Sequence, residues 1–117
     1  MKFAPVPSFP ACATAALESG DPAKGASTLL TNTASGCLVP WHWHTLTETI
    51  LMVSGTSRLE MKGGGKPAML RSGVYASMPA HHVHQVRCVS SVPCVLFIHS
   101  GAAFDIHSST PPATRFP

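Results

Sequence analysis

Charge is what this sequence is short of. Only 11% of its 117 residues are Asp, Glu, Lys or Arg, and the eight basic ones are dispersed, giving a net charge of +3 with no run. A nucleic-acid partner would want a concentrated basic stripe, so that class is set aside. No apolar run reaches the roughly 18 residues of a membrane span, and no long amphipathic helical pattern occurs, so no membrane role is expected. There is no Cys-x-x-Cys, no phosphate-binding loop and no Ser-His-Asp order, which removes a zinc ribbon, a thioredoxin-type redox site and a serine hydrolase. The N-terminal MKFAPVPSFPACATAAL lacks the unbroken apolar segment of a signal peptide. As written the chain reads as cytoplasmic, and as periplasmic or secreted if Met1 stands in place of a removed leader.

What is present is 44% hydrophobic residues, 11 prolines and 9 glycines. Many turn formers among short apolar runs predict a single all-β domain, an antiparallel sandwich or barrel. Residues 1–26, with Pro5, Pro7, Pro10 and Pro22, read as an extended proline-rich arm over the surface. Residues 27–107 form the domain, with strands expected at 27–33, 38–44, 48–54, 57–61, 68–71, 74–78, 84–89, 94–100 and 104–107. Residues 108–117 read as a loose tail.

Histidine is the compositional oddity. Five of seven fall at positions 42, 44, 81, 82 and 84. In a strand, residues two apart share a face, so His42 and His44 project side by side while Trp43 faces away. A bend over residues 45–47 brings Glu48 toward the same point. Two imidazoles and a carboxylate suit a divalent first-row metal. An isolated His-x-His is also an ordinary polar stripe, and the downstream sequence decides between the two readings.

That downstream stretch, GVYASMPAHHVH at 73–84, adds a proline turn and a third histidine group. Together the two stretches resemble the cupin superfamily. Its first motif, G-x5-H-x-H-x3-E-x6-G, is met by Gly36, His42, His44, Glu48 and Gly55. Its second, G-x5-P-x-G-x2-H-x3-N, is met by Gly73, Pro79 and His84, with His81 in place of glycine and Cys88 in place of asparagine. The resemblance implies a double-sheet jelly roll with a metal held inside the barrel mouth by His42, His44, Glu48 and His84. His82 competes with His84 if the turn at His81 relaxes. The ion implied is one divalent transition metal, with iron, manganese, nickel, copper and zinc all open. More loosely, the GDP at 20–22, MPAHHVH and FIHSGAAFDIH resemble small single-domain bacterial cupins, many made with export signals.

Strand parity turns Glu48, Ile50 and Met52 inward and Trp41, Trp43, Leu51 and Val53 outward. The outward set needs a cover, either the proline-rich arm or a second subunit, and the resemblance to cupins, which commonly dimerise through such faces, implies a homodimer. Cys88 and Cys94 flank VSSVP, read as a hairpin. One register pairs the two cysteines in a disulfide and sends His99 outward. A one-residue slip turns His99 inward instead. Reduced core cysteines are the third option. Tyr75 is expected in the core or at the pocket, and His107 as structural or exposed.

Three neutral imidazoles and one carboxylate leave open positions on a divalent ion, as catalytic sites do. The leading expectation is a small dioxygenase-type metalloenzyme acting on a small organic molecule. The alternatives are a lyase or isomerase using the metal as Lewis acid, and a non-catalytic metal- or ligand-binding module.

Overall fold

Short alternating runs ended by glycine or proline leave this chain little choice but strands. The computed structural model describes residues 2–109 and contains no helix among them, so none that could cross a membrane. The strands are β1 Ala4–Pro5, β2 Ala13–Gly20, β3 Ser27–Thr33, β4 Leu38–Trp43, β5 Glu48–Ser54, β6 Ser57–Met61, β7 Ala68–Leu70, β8 Tyr75–Met78, β9 His84–Cys88, β10 Cys94–Ser100 and β11 His107–Ser108. They form two sheets, ordered β1-β2-β3-β10-β5-β8 and β11-β4-β9-β6-β7, with every pairing antiparallel. This is the double-sheet jelly roll that the resemblance implies.

Inward side chains follow the period of two. In β5 Glu48, Ile50 and Met52 are buried, and in β10 Cys94, Leu96, Ile98 and Ser100. Met78 in the same sheet and the facing residues Leu59, Leu70 and Cys88 complete the apolar core. Removing such surface from water is worth roughly 25 cal/mol per Å², the main force pressing the two sheets together.

The two ends of the barrel differ. Cys12–Cys37 and Cys88–Cys94 are both disulfides, each joining the first sheet or its approach to the second. Ala13, next to Cys12, aligns with Thr33, and Thr33 with Cys94, so both bridges close one end. The other end carries Glu48, aligned with Ser100, and His84, aligned with His42.

Several expectations are corrected. Residues 1–26 are more than a covering arm: β2 pairs with β3 along most of its length and, with β1, extends the first sheet. The prolines at 7, 10 and 22 lie outside the strands and Pro5 sits in the edge strand β1, which is why the sheet tolerates them. β9 and β10 do not form a hairpin; they lie in different sheets, and VSSVP carries the chain across. The Cys88–Cys94 bridge therefore links two sheets, and neither hairpin register applies. His99 is exposed, its ring in hydrogen-bond contact with Thr28 Oγ1. The last strand is His107–Ser108 instead of 104–107, and Ser109 N–H bonds to Trp41 O. Most of the tail expected at 108–117 lies outside the described residues.

Outward residues form a pattern of their own. Ala16, Leu30, Phe97, Leu51 and Tyr75 are successive cross-strand partners, an apolar row across five strands of the first sheet. Tyr75 is 68% exposed, so it belongs neither to the core nor to the pocket. Trp43 is covered by its own chain, its indole stacked between the rings of His107 (4.1 Å) and His81 (5.7 Å).

Candidate metal centre

Strand alternation alone would not place both Val39 and His42 inside, since they are three apart. A bulge over Pro40 and Trp41 does so, because β4 spends two residues between Val39 and His42 where β9 spends one between Val86 and His84. Proline, which has no N–H to lose, sits in that bulge. His42 is then directly opposite His84.

After β4 the chain bends through 44–47 from the second sheet to the first, and Glu48 opens β5 facing back across the barrel. His84 opens β9 after the turn that begins at Pro79. That turn is held by His82 N–H bonding to Pro79 O and His81 N–H to His44 O. His81 has φ of 71°, the left-handed conformation in which the family motif has glycine. Its stacking on Trp43 helps to hold that conformation.

The structure brings His42, His44 and His84 together, all buried, with one ring nitrogen of each within 4.8 Å of the others. His82 is exposed and stays outside the cluster. Each Nδ1 meets a backbone carbonyl: His42 with Pro40 at 2.6 Å, His44 with Asp105 at 2.5 Å and His84 with His82 at 2.9 Å. A carbonyl only accepts, so each Nδ1 carries the proton and each Nε2 presents a lone pair. Burial above all lowers His42 to about 3, with His84 and then His44 adding to it against the pull of the Pro40 carbonyl. Burial likewise lowers His84. Both rings are neutral at physiological pH, the form that ligates metal.

Glu48 completes the group. Its Oε2 lies 3.5 Å from His44 Nε2 and its Oε1 3.8 Å from His84 Nε2. Burial raises its pKa, and His44 offsets part of that. The Nε2 atoms of His44 and His84 are buried without a hydrogen-bond partner. Such atoms are costly to leave bare, and a cation supplies what they lack. The donor set thus fits a divalent transition metal.

Asp105 supports the group from outside. Its Oδ1 accepts from Thr45 N–H at 2.9 Å, and its Oδ2 from the Thr45 hydroxyl at 2.5 Å, with His107 Nε2 at 3.2 Å. Burial alone would raise its carboxyl, but these bonds prevail and hold it below the usual carboxylate range. Phe104, 5.2 Å from the His44 ring, packs edge-on to Phe9. The sequence reading missed Phe9, Phe104 and Asp105, since none carries a spacing signal. The one cue was FDIH lying near the end of the chain.

Behind the histidines runs an internal cavity of about 40 Å³, walled mainly by Val39, Ile50, Val86, Leu96 and Ile98 with Phe9 beside them. His42, Glu48 and His84 form part of its lining, so the candidate ligand atoms and an apolar space adjoin.

The cupin domain profile matches residues 30–100. No curated protein matches the chain in sequence. Among solved structures it is similar to the polyketide cyclase RemF from Streptomyces resistomycificus, with a TM-score of 0.76 and 13% identity over 88% of this chain and 75% of that one. It is also similar to KdgF from Halomonas sp., with a TM-score of 0.69 and 17% identity over 86% and 88%. Oxalate oxidase aligns with a TM-score of 0.64 and 19% identity over 73% of this chain, which spans 46% of that one. At such identities these likenesses show the fold, and the profile match covers more than half of the sequence. The chain belongs to the cupin superfamily.

Proposed function

We propose that His42, His44, Glu48 and His84 hold one divalent transition metal and that the chain is a small metalloenzyme of the dioxygenase type. The observation that carries this reading is the set of buried, partnerless Nε2 lone pairs beside a buried carboxylate. When bound, the metal supplies Lewis acidity and open positions for substrate and dioxygen. The protein's own residues do the rest. The carbonyls of Pro40, Asp105 and His82 fix the ring orientations. The apolar wall excludes bulk water and receives a small organic substrate.

A non-catalytic binding role has one observation in its favour. Among the described residues, the titratable side chains lining the cavity are His42, Glu48 and His84 themselves. Oxygen uptake by metal-replete protein, against phenols, diketones and short aliphatic acids, separates the two. Substrate-dependent uptake supports the dioxygenase reading; stoichiometric redox-inert zinc with no turnover refutes it.

The reading extends to assembly and compartment. A homodimer through the apolar row on the first sheet would cover Leu51 and Tyr75, and sedimentation showing only monomer refutes it. The two disulfides support an oxidising compartment.

A further inference from the structure

Directly beneath the candidate ligands lies a layer of branched aliphatic side chains. Ile50 is the next inward residue after Glu48 in β5, and Val86 the next after His84 in β9. Each therefore stands one step deeper than its ligand, about 7 Å along the strand. Across the bulge Val39 takes the same place under His42, and Ile98 aligns with Ile50 from β10. These four and Leu96 wall the cavity of about 40 Å³ that His42, Glu48 and His84 adjoin.

Size and polarity decide what this recess holds. Its 40 Å³ is room for about three water-sized groups. An organic substrate taken up at the metal meets only its rim. Water in a cavity needs about two to four polar partners. Two hydroxyls on the wall are already committed, Thr31 Oγ1 to Leu96 O and Thr33 Oγ1 to Cys94 O. The Ser57 hydroxyl has no protein partner, but Ser57 aligns with Cys88 at the disulfide-closed end, beyond the aliphatic layer. Within the layer the side chains offer only methyl and methylene surface, which suits a small apolar guest and no polar one.

We infer that this aliphatic layer is a binding site for dioxygen, held against the candidate ligands and apart from the organic substrate. A molecule of two heavy atoms fits the volume, and it gives up no hydrogen bonds on leaving water. The layer raises the local concentration of dioxygen beside the open positions of the metal. Its use rests on the dioxygenase reading; its occupancy rests on size and polarity alone. Val86 and Val39 set the size, since the branched chain one methylene longer fills part of the recess from either strand.

The test uses the full chain loaded with zinc, which is diamagnetic and redox-inert, with metal content measured first and the methyl groups labelled for NMR. Paramagnetic relaxation of each methyl is read under dissolved dioxygen, with dissolved nitrogen as the blank. The expected enhancement at Ile50, Leu96 and Ile98 is severalfold above that at Leu59 and Leu70, which are as deeply buried and do not line the recess. Val86→Ile should lower the enhancement at Ile50 and Ile98 by at least about twofold, because a core this tightly packed feels a single added methylene. Val39→Ile should do the same from β4. Enhancement at the layer no greater than at Leu59 and Leu70, or undiminished in both variants, overturns this inference and leaves the metal centre standing. Failure to take up zinc overturns the metal centre, while the methyl readout on that protein still decides occupancy. Enhancement at the layer with no substrate-dependent oxygen uptake removes the dioxygenase reading and sustains the dioxygen site.

Discussion

Glu48 Oε2 stands 3.5 Å from His44 Nε2 inside a site where both residues are almost wholly buried. That gap is too wide for a strong hydrogen bond and suits an ion that contacts each atom at about 2 Å. Glu48→Gln keeps the shape and removes the charge. It should lower metal affinity by at least about tenfold while leaving the circular dichroism unchanged. Unchanged affinity in a metal-binding competition assay would remove Glu48 from the ligand set.

Asp105 acts on His44 through its backbone carbonyl, and its side chain pins that segment to Thr45. Asp105→Ala should weaken metal binding by about 10- to 100-fold, the range for groups that orient a ligand. His107→Ala, which loses one longer contact, should cost much less. Equal affinities for wild type and Asp105→Ala by competition titration would contradict the positioning role.

Acid should unfold the metal-free protein in a particular way. His42 titrates at about 3 in the fold against 6.5 as a free imidazole, and His84 is lowered as well. Below pH 6.5 the unfolded chain therefore binds protons that the folded chain refuses. The His42 contribution is full above that pH and declines as pH falls toward 3, by about 1.4 kcal/mol per unit, and His84 acts in the same direction. The raised Glu48 works in the opposite direction, costing stability as pH rises above its ordinary 4.5. In Glu48→Gln, which lacks that opposing carboxyl, the urea midpoint in chelator should drop between about pH 6.5 and about pH 5. A flat or rising midpoint contradicts neutral buried histidines.

The disulfides give unequal predictions. Cys12–Cys37 closes a loop with a sequence separation of 25, and Cys88–Cys94 one of 6. Replacing the first pair by serine should cost about 3 kcal/mol in denaturant unfolding, and replacing the second pair less. Intact mass should rise on reduction by two hydrogens for each bridge. No mass change would show the thiols free.

Much of the fold was legible because its signals are local. Alternation in 48–54 placed Ile50, Leu51, Met52 and Val53 on their observed faces. The His-x-His spacing and the Pro79 turn carried three histidines to one point because strand geometry leaves no other outcome for inward residues. The partnering of strands was not legible in the same way. A turn such as VSSVP reads alike whether the chain folds back in one sheet or crosses to the other, and only long-range packing chooses. β2 was hidden by neighbouring prolines, none of which lies within the strand itself. Asp105 and Phe9 reach the site through tertiary folding, which no spacing in their own segments announces.

The central claim is tested most directly by elemental analysis of the protein purified without chelator, alongside His84→Ala and His82→Ala. The account predicts about one transition-metal ion per chain in wild type and in His82→Ala, and a large loss of metal in His84→Ala. Full occupancy in His84→Ala, or wild-type protein that takes up no metal even when it is supplied, would contradict it.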